Sequence, residues 1–160
     1  MDFVHDARAD GRPFRVLTVV DQWSRQRPMR EAATSLSGRR VGEGLDQALA
    51  GGVAPRSIPV DHGTACTSRA LEEWAYPRGV QLDFIRPGKP IADAFIEAFQ
   101  GRLRDEGLHG HPFTSIEDAN ATIEAWRLDY HQRRPHRSLG HLTPDACAAR
   151  QEKRTAADVA

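Results

Sequence analysis

Hydrophobic positions along the chain follow two periods, and together they predict an ordered run of strands and helices. Residues 14–21 (FRVLTVVD) are a Val- and Leu-rich run that predicts a strand buried on both faces. Residues 1–5 predict a shorter strand ahead of it. Asp10-Gly11-Arg12-Pro13 between them is turn chemistry, so the two should form a hairpin. Residues 28–34 predict a third strand, diluted by Glu31-Ala32-Ala33. Val41, Leu45, Ala48 and Leu49 then recur at helical spacing over 39–50, and Gly51-Gly52 stops the helix.

Residues 56–60 predict a strand that runs into Asp61. Thr67 or Ser68 caps a helix that Pro77 closes, and residues 81–85 predict a further strand. Beyond Pro87-Gly88-Lys89-Pro90, a helix over 91–108 carries Ala92, Phe95, Ile96, Phe99 and Leu103 on one face. Ser115-Ile116-Glu117-Asp118 opens a last helix to about Tyr130, with Ile116, Ala119, Ile123, Trp126 and Tyr130 inward. A basic segment broken by proline covers 131–144, and the final residues are polar. This order predicts an α/β fold with a five-stranded mixed sheet flanked by helices.

The length of 160 residues suits one domain, with 39% hydrophobic and 28% charged residues. One folded domain is expected over 1–148 and a disordered tail over 149–160. No apolar run has membrane-spanning length and no secretory leader precedes the first strand, so a cytoplasmic location is expected. Formal net charge is zero, so any nucleic-acid binding must come from local basic patches. The cysteines, Cys66 and Cys147, form neither a disulfide framework nor a zinc spacing. His131, His136 and His141 recur every five residues, which matches no zinc pattern either.

Among 22 acidic residues, three stand where elements would present them. Asp2 lies in the first strand, Asp61 ends the fourth ahead of a His62-Gly63-Thr64 turn, and Glu97 lies off the apolar face of the long helix. Carboxylates that converge on two divalent ions are what strand chemistry on nucleic acids requires. Position alone does not separate them from solvated surface acids.

Longer motifs do. Asp61-His62-Gly63-Thr64, Arg86-Pro87-Gly88-Lys89-Pro90 and Ala94-Phe95-Ile96-Glu97-Ala98-Phe99-Gln100-Gly101-Arg102-Leu103-Arg104-Asp105-Glu106 resemble the integrase core of insertion-sequence transposases of the third family. Thirty-five residues lie between Asp61 and Glu97, the separation typical of that D-D-E class. Met1-Asp2-Phe3-Val4 resembles its first-strand motif. Residues 130–144 (YHQRRPHRSLGHLTP) resemble its C-terminal signature. The resemblance spans about residues 1–148 and includes a kinship with retroviral integrases. It implies an RNase H-like fold and a transposase that cleaves DNA and transfers strands. It implies Asp2, Asp61 and Glu97 as catalytic residues and ligands of two Mg²⁺ or Mn²⁺ ions. DNA, both transposon ends and target, and further copies of the chain are the implied partners.

Lys89, Arg102 and Arg104 flank that site and are candidate phosphate contacts, as are Arg133, Arg134 and Arg137 in the densest basic patch. Asp6 and Asp21 are the nearest acidic decoys. Against the family pattern, His62 and Asp93 replace Asn, Ala65-Cys66 replaces Glu-Phe, and Ala98 and Gln100 replace Ser and Asn. These departures, and a start one residue before Asp2, support a second expectation. In it the chain is a truncated, non-catalytic remnant that binds DNA or transposase subunits. A stand-alone RNase H-like nuclease is a third reading, which the Arg-Arg-Pro-His segment opposes.

Overall fold

The computed structural model describes residues 1–21, 30–49, 54–85 and 90–150, with backbone only at 30 and 90–95. Strands β1 (Asp2–Ala7), β2 (Pro13–Thr18) and β3 (Arg30–Ala33) are followed by α1 (Gly38–Leu49), β4 (Ser57–Val60), α2 (Arg69–Ala75) and β5 (Gln81–Phe84). Helices α3 (Pro90–Arg102) and α4 (Ile116–Arg133) complete the sequence of labelled elements. The hairpin forms as expected: β1 and β2 pair antiparallel with Asp2 opposite Thr18, and Gly11 supplies a positive φ of 81° in the turn.

Strand alternation sorts the core into two faces. Phe3, Leu17 and Ala33 join Val41 and Leu45 of α1, Leu71 and Trp74 of α2, and Ile58 and Val60 of β4. Val4, Phe14, Val16 and Ala32 point the other way. They meet Phe99 of α3, Leu103, Phe113, and Ile123 and Tyr130 of α4. The result is three layers, with α1 and α2 on one side of the sheet and α3 and α4 on the other. Gly42 lets α1 and α2 close up, since a Cβ there would lie 2.9 Å from the Trp74 ring. The outer edge of β3 is covered by Asn120 of α4. Its amide accepts from the Ala32 N–H at 2.9 Å and donates to the Ala32 carbonyl at 3.0 Å, as a neighbouring strand would.

The expected single five-stranded sheet is corrected by the hydrogen bonding. The strands form a three-stranded ladder, β1-β2-β3, and a separate parallel pair, β4-β5. Pro59 accounts for the break. The carbonyls of Arg56 and Val60 accept from Gln81 and Ile85, so alternation turns the polar groups of Pro59 away from β5. On that side the Met1 nitrogen donates to the Pro59 carbonyl at 2.9 Å. Proline has no N–H to return, so the contact does not grow into a ladder. Packing still places β4 beside the start of β1, because Met1 and Phe3 share a core with Ile58 and Val60.

Two further differences matter. The helix expected over 91–108 widens into a π-helical turn at Leu103–Leu108. Within it Gly107 is close to Leu103 and the Trp126 ring, where a Cβ would lie at 3.1 and 3.4 Å. Residues 144–150 are helical, so the boundary expected at 148 falls inside a helix, and the rest of the expected tail lies outside the described residues. Among the described residues no helix is long and apolar enough to cross a membrane.

Candidate active site

Asp2 begins β1 on the face that α3 covers, by the same parity that places Val4 there. Its Oδ1 accepts from the Phe3 N–H at 2.7 Å, and its Oδ2 accepts from the Gln100 amide at 2.8 Å. Gln100 also reaches Thr18 Oγ1 at 3.3 Å, and Thr18 donates to the Asp2 carbonyl at 2.8 Å. Asp61 follows β4 directly, half-buried. Its Oδ1 accepts from the Gly63 N–H at 3.1 Å, and a Cβ on Gly63 would meet the carboxylate at 3.0 Å. Glycine therefore leaves room around this acid. His62 stacks on Phe84 with ring centres 5.3 Å apart, which holds the turn against the end of β5.

Cys66 lies in the core behind Asp61. It is fully buried, and its thiol is pushed up to about 12 by burial first, then by a hydrogen bond to Asp61 and the charges of Asp61 and Asp2. The Met1 nitrogen, 2.9 Å from the Pro59 carbonyl, sets the start of β1 beside the end of β4, so Asp2 and Asp61 stand at one corner. Glu97 lies on α3 three residues before Gln100, exposed to solvent. The three carboxylates do not stand as one ready cage. Among the described residues no three His, Cys, Asp or Glu side chains are grouped closely enough to hold a metal ion. The donor chemistry nonetheless fits a hard divalent cation. The acids offer carboxylate oxygens, and the neighbouring sulfur is a buried, protonated thiol rather than a thiolate ligand.

Asp6 Oδ1 accepts from the Ala7 N–H at 2.7 Å, and Asp21 is exposed beyond β2. Asp93 lies on α3, with its side chain outside the described set.

The candidate basic residues divide. Lys89 lies outside the described residues. Arg102 and Arg104 are exposed, and Arg104 falls in the π-helical turn that follows α3. Arg133 and Arg137 are exposed, Arg133 lying 3.8 Å from Asp129. Arg134 is different. It pairs with Glu106 at 2.7–2.8 Å and lies over the Tyr130 ring at 5.4 Å. This contact holds the Glu106 carboxyl below the usual carboxylate range, helped by the Trp126 indole N–H at 3.0 Å. His131 is buried, with Nδ1 2.9 Å from the Arg127 guanidinium and 3.8 Å from Asp145. Sequence reasoning gave Gln100 only as a departure from a motif. Its signal was its place three residues after Glu97, and the even-numbered parity shared by Asp2 and Thr18.

Two profiles described as integrase core domain match the chain, one over residues 1–90 and one over residues 78–144. The chain is 43% identical over 150 residues to a 31.7 kDa protein of insertion element IS407 from Burkholderia multivorans, covering 94% of this chain and 54% of that one. It is 42% identical over 149 residues to a 39.2 kDa protein of insertion element IS476 from Xanthomonas euvesicatoria, covering 93% and 43%. The chain therefore spans about half the length of these relatives. In fold it is similar to the HTLV-2 integrase catalytic core domain in complex with magnesium (trimeric form). That match has a TM-score of 0.68 at 16% identity and covers 89% of each chain. It is also similar to a chain of the simian T-cell lymphotropic virus intasome in complex with PP2A regulatory subunit B56 gamma. There the TM-score is 0.69 at 16% identity, covering 84% of this chain and 48% of that one. The alternating two-faced sheet, the acidic corner and these matches converge: the chain belongs to the integrase core domain family.

Proposed function

We propose that this chain is the DNA-cleaving and strand-transferring core of an insertion-sequence transposase, with Asp2, Asp61 and Glu97 as its metal-binding acids. The observation that carries the reading is the corner where β1 begins and β4 ends. There the Met1 nitrogen donates to the Pro59 carbonyl at 2.9 Å, which sets Asp2 beside the strand that ends at Asp61, and α3 is tied to Asp2 through Gln100. Asp2 and Asp61 would hold divalent cations, Mg²⁺ or Mn²⁺, with Glu97 as the third ligand. Two such ions supply Lewis acidity at the attacking and leaving oxygens of an in-line phosphoryl displacement. The protein's own part is to orient the acids: Gly63 and Phe3 present N–H groups, and Gln100 fixes one oxygen of Asp2. DNA is the substrate, held by phosphate contacts from exposed Arg102, Arg104, Arg133 and Arg137. Lys89 is a further contact of this kind on motif position alone. Copies of the chain would assemble to join transposon ends to target.

Mn²⁺-dependent joining of labelled insertion-element ends tests this. Wild type should give joined product and Asp61→Asn none. Equal product from both would remove the acids from the chemistry. The competing reading is a non-catalytic remnant that binds DNA or sister subunits. It is favoured by the three carboxylates not forming one three-ligand group among the described residues. Retained DNA binding with no joined product from the wild type would establish it.

A further inference from the structure

We propose that Gln100 is a positioning residue: it pins α3 onto the Asp2–Thr18 pair and so fixes Asp2 and the Glu97 segment relative to one another for cation binding. The inference rests on the assignment of Asp2 and Glu97 as metal-binding acids.

Strand register comes first. Asp2 and Thr18 are directly opposite in the β1–β2 ladder, on the face that packs against α3. Their polar groups therefore meet a helix that is otherwise apolar there, through Ile96, Phe99 and Leu103. A polar group at that junction needs a partner, because an unsatisfied buried donor or acceptor is costly. Gln100 is 5% exposed and Thr18 2%. The amide nitrogen carries two hydrogens, one for each acceptor it touches: Asp2 Oδ2 at 2.8 Å and Thr18 Oγ1 at 3.3 Å. The Thr18 hydroxyl in turn donates to the Asp2 carbonyl at 2.8 Å. Three elements are thereby closed around one acid.

The donor's neutrality matters. Both oxygens of Asp2 are oriented by uncharged donors, the Phe3 N–H and the Gln100 amide. A carboxylate held this way is fixed in place while its charge stays available to a cation, the usual arrangement behind a metal-ligating side chain. A Lys or Arg here would neutralise the charge. Leucine would leave Asp2 Oδ2 and Thr18 without their donor, and glutamate would set two carboxylates against each other. Glu97 precedes Gln100 by three residues, so the pin and the third acid lie within one helical turn. Whatever fixes Gln100 on β1 also fixes the segment that carries Glu97.

Mn²⁺ binding, followed by electron paramagnetic resonance of the free ion, and thermal melting with and without Mn²⁺ test the idea. The proteins are wild type, Asp61→Asn, Gln100→Leu, Gln100→Asn and Gln100→Glu. Wild type should bind Mn²⁺ and Asp61→Asn should bind far less. Gln100→Leu should weaken binding by about 10-fold. Gln100→Asn, which keeps the donor one methylene short, should fall between them. Gln100→Glu should melt lower than wild type without metal and gain more from Mn²⁺ than wild type does. A side chain that merely filled the core would show no such metal-dependent rescue. Wild-type Mn²⁺ affinity in Gln100→Asn and Gln100→Glu would overturn the inference while leaving the acids in place. A wild-type protein that takes up no Mn²⁺, or an Asp61→Asn variant that binds as wild type does, would overturn the assignment of the acids and the inference with it.

Discussion

The acidic corner and the C-terminal signature are both dense in charge, yet they use it in opposite ways. At the corner, the described hydrogen-bond partners of Asp2 and Asp61 are neutral: backbone N–H groups and an amide. In the signature and the helix that leads into it, charged side chains pair with one another. Arg134 holds Glu106, Arg127 holds Glu124 at 2.8 Å, and buried His131 lies against Arg127 and Asp145. Neutral donors orient an acid, whereas charge answered by an opposite charge inside the fold serves the fold. A basic run in a sequence is therefore not one surface. Arg133 and Arg137 face solvent, but Arg134, adjacent to the first, braces the π-helical turn that follows α3.

Substitutions can break this contrast, and stability should respond most strongly inside the signature. Tyr130 is buried among Phe99, Trp126 and His136, with ring centres 5.8, 5.1 and 4.9 Å away. Tyr130→Ala should cost about 3–5 kcal/mol in urea unfolding. By contrast, Asp61→Asn should leave the unfolding midpoint nearly unchanged while joining activity disappears. A large stability loss at Asp61 would show that the corner is scaffold too.

Arg134→Ala should cost about 1–2 kcal/mol, more than an ordinary surface pair, because its guanidinium also covers Tyr130 and its partner binds Trp126. Exchanging the charges, with Arg134→Glu and Glu106→Arg together, should recover part of that loss. The Glu106 carboxyl is held low in the folded state, so its contribution is fully present above the ordinary Glu value and is lost as pH falls through the lower folded value. The melting difference between wild type and Glu106→Gln should therefore shrink on acidification. A difference independent of pH would mean that the ion pair contributes nothing.

The smallest stability effect is expected at Arg133, whose side chain is 82% exposed. Arg133→Ala should change unfolding by less than about 0.5 kcal/mol. In DNA binding it should lower the salt slope by about one. An unchanged slope would place the DNA elsewhere.

Much of the fold was legible in the sequence because its cues are local. The Val- and Leu-rich run marked β2 as buried on both faces, the Asp10–Pro13 turn fixed the hairpin, and Ile96 and Phe99 marked the buried face of α3. What escaped was non-local. Pro59 breaks the sheet only because its missing N–H faces β1, a fact of register rather than of composition. Glu106 and Arg134 are 28 residues apart, and Asp2 and Gln100 98 apart, so no window along the chain connects them. One local cue was available and missed: Thr143 followed by Pro144 is a helix start, and Thr143 Oγ1 accepts from the Ala146 N–H at 3.3 Å. At the candidate site, motif spacing pointed to the three acids, while the neutral donors that hold Asp2 appeared only with the packing of α3 on the hairpin.

The central claim is that Asp2 and Asp61 share a cation. Anomalous diffraction from crystals soaked in Mn²⁺ examines it most directly. The account predicts density at the corner between the two carboxylates, absent in Asp61→Asn. Manganese bound only at other sites, or an undiminished corner peak in that variant, would contradict it.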